Sequence, residues 1–378
     1  MRVTLLVLFL AVLGIPLEAA AQRPPEVIPS DRHERIALSF DRSAVPGDQV
    51  LLPRRTILGH SYAASEGLGA IYLVCKSQSD SERGKCPTAD TSEANAYVSS
   101  VPLRFTERRS GLTTDLNVRG FLTRIDGVRS CYFEYWADDQ FPLWTSVGPD
   151  CLGSPPVGTG AELTLESAEL LKLVAGKWDA TLELQMQKEG MALASQTFTF
   201  ELTITDHDRV SIYFPEYDQA TPHVGLNVKY NPFPTPTIAG KRELEMCLYD
   251  GLGSQSNYLE VTISDSGRAA PGRPLDRFSV WHDGGGGGGG GERDRLDYKI
   301  QLQHAGVPIS MENGRLQPLS GIDTADLRLV VLPGMSQPVY CVPTPLTLEM
   351  PPVDASTKAS GYYSGNLRIL MNVPTTTP

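Results

Sequence analysis

The chain has 378 residues, 41% apolar and 20% charged, with a formal net charge of −11. That length fits about two domains at roughly 100–200 residues each, and the composition supports buried cores rather than disorder. So acidic a chain lacks the basic surface that a phosphate backbone requires, which excludes nucleic acid as the partner.

The N-terminus carries Arg2, an apolar run from Val3 to Leu13, and then Ala19-Ala20-Ala21-Gln22. A basic start, an apolar stretch too short to span a membrane and an A-x-A site read as a signal peptide over 1–21, cleaved after Ala21. No other stretch approaches the apolar length of a membrane span. The expectation is an exported, soluble protein.

Export places the six cysteines, Cys75, Cys86, Cys131, Cys151, Cys247 and Cys341, in an oxidising compartment. Six cysteines allow 15 pairings, and sequence alone does not choose among them. Proximity favours Cys75–Cys86 and Cys131–Cys151, which leaves Cys247 with Cys341 and a long loop worth about 4–5 kcal/mol in the chain-entropy model. No C-x-x-C occurs and the six histidines show no ligand spacing, so neither a metal nor a cofactor is expected.

Residues 22–35 are polar and contain Pro24-Pro25, a loose start. From about residue 36 the apolar residues alternate with period two, the strand signal. The runs are Ile71–Val74, Val101/Leu103/Phe105, Leu116/Val118, Leu182/Leu184/Met186 and Phe198/Phe200/Leu202/Ile204. The last two read as a hairpin with a long tip. Ser167 can cap one short helix over Ala168–Ala175, ended by Gly176.

Asp206-His207-Asp208 interrupts the pattern, so the boundary falls near 207–209, between a first domain over 22–206 and a second over 210–378. The second half reads Ile212/Phe214, Val224/Leu226/Val228, Leu244/Met246/Leu248, Leu259/Val261/Ile263, Leu296/Tyr298/Ile300/Leu302, Leu327/Leu329/Val331 and Leu367/Ile369/Met371/Val373. About seven short strands at this spacing predict an immunoglobulin-type sandwich. Gly284 to Gly291 is an unbroken glycine run. It lacks the Lys-Ser/Thr of a phosphate loop and reads as a flexible connection.

Catalytic patterns are missing. Neither G-x-S-x-G nor H-E-x-x-H occurs, and adjacent Asp138 and Asp139 would point to opposite faces of a strand. Asp206 and Asp208 share a face, but solvation in a linker accounts for them better than a cation does. The sequence does not read as an enzyme. Its last strand-like run stops at Val373, before Pro374. A sandwich that ends there either simply ends or leaves an edge for a partner to cover.

Several stretches carry a specific resemblance. Met246-Cys247-Leu248-Tyr249-Asp250-Gly251 and the Leu-Glu-Val-Thr that follows resemble the pilin-domain signature of the CfaE/CblD family, tip adhesins and initiators of fimbriae built by the alternate chaperone–usher pathway. In order along the chain, Val74-Cys75 with Gly84-Lys85-Cys86-Pro87, LRFTERRS at 103–110, Glu169–Leu173 with Gly176-Lys177-Trp178, Pro338–Pro343 and Gly361–Asn366 are similar to further family stretches. The resemblance covers nearly the whole mature chain.

It implies an all-β fold: two immunoglobulin-like β-sandwich domains in tandem, an N-terminal adhesin domain and a C-terminal pilin domain lacking its last strand. It implies that a periplasmic pilus chaperone fills that groove first. The N-terminal extension of the major pilin subunit then replaces the chaperone, at an outer-membrane usher. The groove walls would be Ile212 and Phe214 with Leu367, Ile369, Met371 and Val373, and Cys341 would partner Cys247 across the sandwich. Such a protein travels through the periplasm to the cell surface and sits at the pilus tip, where it binds a host glycan or glycoprotein. The family's receptor arginines align with Ala70, Lys188 and Glu189, so that pocket's chemistry does not carry over. The competing reading is a secreted β-sandwich binding or hydrolytic protein with an unrecognised site.

Overall fold

The computed structural model describes residues 23–373, apart from 130, 132, 133, 218, 220, 268, 269 and 285–290. The expected signal peptide, most of the glycine run and the tail from Pro374 lie outside the described residues.

Eight strands build the first half: β1 (Arg32–Asp41), β2 (Gln49–His60), β3 (Tyr72–Cys75), β4 (Ser99–Glu107), β5 (Thr113–Ile125), β6 (Gly158–Leu165), β7 (Gly176–Lys188) and β8 (Met191–Thr205). They pair in the order β1-β8-β7-β4-β5-β6-β2, with β3 also on β7. β1 lies parallel to β8 and every other pairing is antiparallel. The alternation read from the sequence is the alternation of burial. Along β7, Trp178, Ala180, Leu182, Leu184 and Met186 are buried and the residues between them are half-exposed, as a pleat requires.

Two local expectations are corrected. The β7–β8 hairpin has no long tip: Lys188 pairs with Met191 across Glu189-Gly190. Both turn residues have positive φ, 51° and 77°, the two-residue turn that matches strand twist. The helix α1 spans only Ser167–Leu170, and no side chain caps it. Instead the Ser167 amide donates to Asp48 Oδ1 at 2.8 Å. Leu173, Val174 and Ala175 are all buried, and consecutive burial suits an extended approach to β7 rather than one face of a helix.

The second half contains β9 (Ser211–Tyr213), β10 (Lys229–Asn231), β11 (Thr237–Leu244), β12 (Cys247–Tyr249), β13 (Tyr258–Ser266), β14 (Phe278–His282) and β15 (Arg295–His304). β16 (Val307–Ser310), β17 (Leu316–Ser320), β18 (Arg328–Val330), β19 (Val339–Pro343), β20 (Leu346–Asp354), β21 (Tyr363–Ser364) and β22 (Asn366–Asn372) follow. They form sheets in the orders β10-β11-β20-β15-β14-β21 (β16 also on β15), β18-β19-β12-β9 and β17-β13-β22. Their inward faces share a second core that includes Leu248, Val261, Ile263, Phe278 and Ile300.

Here too the sequence pattern fails in places. Val224/Leu226/Val228 is not a strand. A side chain at Gly240 would stand 2.6 Å from the Leu226 carbonyl oxygen, so this segment crosses over the face of β11 instead of lying beside it. β18 is out of phase with the expected Leu327/Leu329/Val331 face. Val330 is buried, while Leu329 and Val331 are 50% and 56% exposed, because Val330 and Leu332 turn toward the first core.

The disulfides are Cys75–Cys86, Cys131–Cys151 and Cys247–Cys341. The last does not cross between sheets. Cys247 on β12 and Cys341 on β19 belong to neighbouring strands of one sheet, on the face continuous with the first core.

The LRFTERRS stretch organises the joint between the halves. The buried Glu107 carboxylate accepts from the amides of Arg109, Ser110 and Lys177, from the Ser110 hydroxyl, and from Gln255 Nε2 of the second half at 2.9 Å. Arg108 grips Asp179 with two nitrogens, and Arg109 Nη2 donates across the joint to the carbonyls of Ile322 and Ala325 at 2.6 and 2.9 Å. Gly176, at φ 151°, must be glycine here, since a Cβ would stand 2.7 Å from Glu107 Cγ.

Candidate functional site

Two places in this architecture are chemically incomplete. The first is a pair of sheet edges in the second half. β22 pairs with β13 through seven residue pairs from Glu260↔Asn372 to Ser266↔Asn366, and among the described residues nothing pairs with its other side. β9 likewise pairs only with β12. On β13 the inward Leu259, Val261 and Ile263 are all 0% exposed. On β22 the inward Leu367, Ile369 and Met371 are only half-buried, as is Val373 just beyond it. Ile212 and Phe214 are half-buried too, and all six side chains rest against the second core. The residues taken from the sequence as groove walls are thus partly wet apolar side chains on or beside unpaired edges. Such an edge is a template for an added strand.

The second place is the pole of the first half that lies far from the joint. The antiparallel registers bring the ends of β2, β5 and β7 and the starts of β3, β4, β6 and β8 there. The positions aligned with the family's receptor arginines are at this pole. Ala70 closes a 3₁₀ turn just before β3, while Lys188 and Glu189 sit at the β7–β8 turn. The β7–β8 turn is tied to the start of β3, because the Gly190 amide donates to Tyr72 Oη at 3.0 Å. Lys188 is committed: Nζ donates to the Glu66 carbonyl at 2.7 Å.

Sequence reasoning missed Arg124, which is fully buried at this pole. Its guanidinium donates to the carbonyls of Ile71, Thr145 and Val147 and to Thr159 Oγ1, at 2.6–3.2 Å. Burial pulls its pKa down to about 9, against an opposing pull from Asp90. With every donor direction used, this cation locks the loop before β6 onto β3 and cannot reach a ligand. No periodicity signals it, because it occupies an inward position of β5 where an apolar residue is expected.

Comparison with known proteins decides the lineage. The family model for the first domain of CfaE, a subunit of CFA/I fimbriae, matches residues 17–207, and the model for its second domain matches 210–375. The chain belongs to the CfaE family of CFA/I fimbrial subunits. It is also 26% identical over 334 residues to the CFA/I fimbrial protein CfaE of Escherichia coli, covering 84% of this chain and 85% of that protein. Two solved structures share its fold. CfaE, described as the adhesive subunit of CFA/I fimbria of enterotoxigenic Escherichia coli, superposes with a TM-score of 0.67 at 21% identity, over 94% of this chain and 95% of that one. A chain from a chaperone–tip adhesin complex of CFA/I fimbriae biogenesis gives 0.64 at 20% identity, covering 94% and 99%.

Membership in the CfaE family makes this a fimbrial adhesin subunit, a structural and binding protein rather than an enzyme, and places it at the cell surface. The reading of Asp206 as a solvated linker residue is corrected: it is buried, 7% exposed. Asp206, which precedes the 3₁₀ turn His207–Arg209, lies 3.8 Å from Arg42. No cluster of metal-binding side chains occurs among the described residues.

Proposed function

We propose that this protein sits at the fimbrial tip, binds a host-surface glycan or glycoprotein and initiates fimbrial assembly by donor-strand complementation. In this reading residues 1–21 direct export, 22–206 form the adhesin domain, 207–209 the linker and 210–378 an incomplete pilin domain. A periplasmic chaperone first occupies the edge of β22. At the outer-membrane usher the N-terminal extension of the major pilin replaces it. The observation that carries the reading is the half-buried state of Leu367, Ile369, Met371 and Val373, on and just beyond a strand whose outer edge no described residue pairs. An inserted strand with alternating apolar residues would dry these side chains and satisfy that edge at once.

The test is export of the full chain with and without its chaperone, followed by addition of a peptide copying the major pilin's N-terminal extension. The expected result is poor recovery alone, rescue by the chaperone, and displacement of the chaperone by the peptide with a raised melting temperature. A well-folded monomer indifferent to both overturns the proposal in favour of an independent secreted β-sandwich protein.

A further inference from the structure

A cavity of about 570 Å³ opens at the distal pole between Arg23, Pro24, Pro25, Ile57, Tyr62 and Trp136. This is within the range of small-molecule sites, roughly 300–1,000 Å³. Its walls are flat and apolar. Trp136 is seated against β6 because Gly160 has no side chain there: a Cβ would stand 2.6 Å from the indole ring. Tyr62 is 48% exposed and is held from behind, its amide donating to Glu26 Oε1 at 2.9 Å and its ring meeting His60 edge-on at 5.4 Å.

The charge sits on those rings. The Arg23 guanidinium carbon is 4.1 Å from the centre of the Tyr62 ring and 6.0 Å from that of Tyr135, while Arg55 lies 5.5 Å from Trp136. Arg55 is paired with Glu134, Lys188 Nζ donates to the Glu66 carbonyl, and the Arg124 donors are taken up by its own loop. Arg23 makes no hydrogen bond or ion pair among the described residues, and its Nε is buried without an acceptor. Further buried polar atoms without partners gather at the same pole: His60 Nε2, Thr123 Oγ1 and both Asp126 oxygens, on residues no more than 2% exposed. Buried polar groups in native proteins are rarely left unsatisfied, and of the residues that carry these atoms only Arg23 lines the cavity.

We propose that this cavity binds a sugar carrying one carboxylate, the carboxylate on Arg23 and the C–H face of the ring against Tyr62 and Trp136. Among the described residues that line the cavity Arg23 is the one cation, which calls for one negative charge, and a chain of net charge −11 repels polyanions. Planar aromatic walls suit the flat apolar face of a pyranose, and a guanidinium held 4.1 Å from the centre of an aromatic ring is fixed in place to grip a carboxylate. The inference rests on the adhesin reading and deepens it. It also moves the cationic centre of recognition away from Ala70, Lys188 and Glu189.

The test titrates the exported full chain with the methyl glycosides of N-acetylneuraminic acid, glucuronic acid and galactose, and measures adhesion to host cells in parallel. Both acidic glycosides are expected to bind at least tenfold more tightly than the galactoside. Arg23→Gln and Tyr62→Ala should each cost about tenfold on the acidic ligands, with melting temperature unchanged. Arg23→Lys should fall between wild type and Arg23→Gln, and Lys188→Ala should have no effect. If the acidic glycosides bind but only Lys188→Ala weakens them, or if the chain adheres to cells and binds none of the three, this site is wrong and the adhesin reading stands. If the chain adheres to no cell and binds no glycan, the adhesin reading itself fails and the inference falls with it.

Discussion

Cys247 and Cys341 are bonded diagonally across two neighbouring strands, with Cα atoms 5.7 Å apart, and both side chains face the first core rather than the second. The loop they close holds β13 to β18 but neither β9 nor β22. The staple therefore constrains the middle of the second domain and leaves the unpaired edges of β9 and β22 outside. A sequence separation of 94 corresponds to about 4–5 kcal/mol of unfolded-state entropy, against about 3 kcal/mol for the 11-residue separation of Cys75–Cys86. Replacing Cys247 and Cys341 together by serine should lower the urea midpoint of the second domain more than the matching Cys75/Cys86 replacement lowers that of the first. Equal shifts would contradict the loop-entropy account.

Alternation along β22 makes the groove testable residue by residue. Ile369 and Met371 turn inward and are half-buried, while Leu370 between them is 42% exposed. Ile369→Asp or Met371→Asp should abolish recovery of a chaperone complex and prevent uptake of a donor peptide, because an inserted strand would bury an unpaired carboxylate. Leu370→Asp should leave both intact. Co-purification and peptide-induced shifts in melting temperature read the difference, and equal sensitivity at all three positions would mean that the partner does not enter along this face.

The same alternation explains what was legible in the sequence. Where a strand buries one face, as in β7, β8, β13 and β22, period two named both the element and its inward residues. It failed where burial did not follow the pleat. Val224 and Leu226 pack on the second core while crossing another strand, and Val330 answers to the first core instead of its own. β16 and β17 contain Pro308 and Pro318, which hid them as strands. The cavity at the distal pole was invisible for a different reason. Arg23, Ile57 with Tyr62, and Trp136 come from three separate segments, brought together by the pairing of β2 with β6 and the bridges Val27–His60 and Ile125–Trp136.

Arg109 should couple the two halves. Its Nη2 bridges the carbonyls of Ile322 and Ala325, and burial holds its pKa below the usual arginine value. Charged donors to carbonyls are worth about 1.5–3 kcal/mol. Arg109→Ala should therefore lower overall stability by roughly that amount and separate a single thermal transition into two, with Arg109→Lys restoring part of the coupling. A single unshifted transition in Arg109→Ala would place the coupling elsewhere, for example in the Gln255–Glu107 bond.

Asp126 gives the distal pole a pH signature. It is 1% exposed, neither carboxylate oxygen has a donor among the described residues, and burial pushes its pKa up to about 6 from an ordinary 3.8. Since the folded value lies above the unfolded one, ionisation works against folding. The group costs nothing below about pH 4, where it is protonated in both states, and its full cost is present above about pH 6. Asp126→Asn keeps the shape and removes the charge. The variant should melt higher than wild type at pH 7, by no more than roughly 3 kcal/mol before solvent screening reduces it. The advantage should shrink as pH falls from about 6 and vanish below about 4. A pH-independent difference would mean that the carboxylate already has a partner. An acidic sugar bound beside an ionised Asp126 would be repelled by it, so the same titration run with methyl N-acetylneuraminide should show tighter binding near pH 5 than at pH 7.5 in wild type, and no such trend in Asp126→Asn.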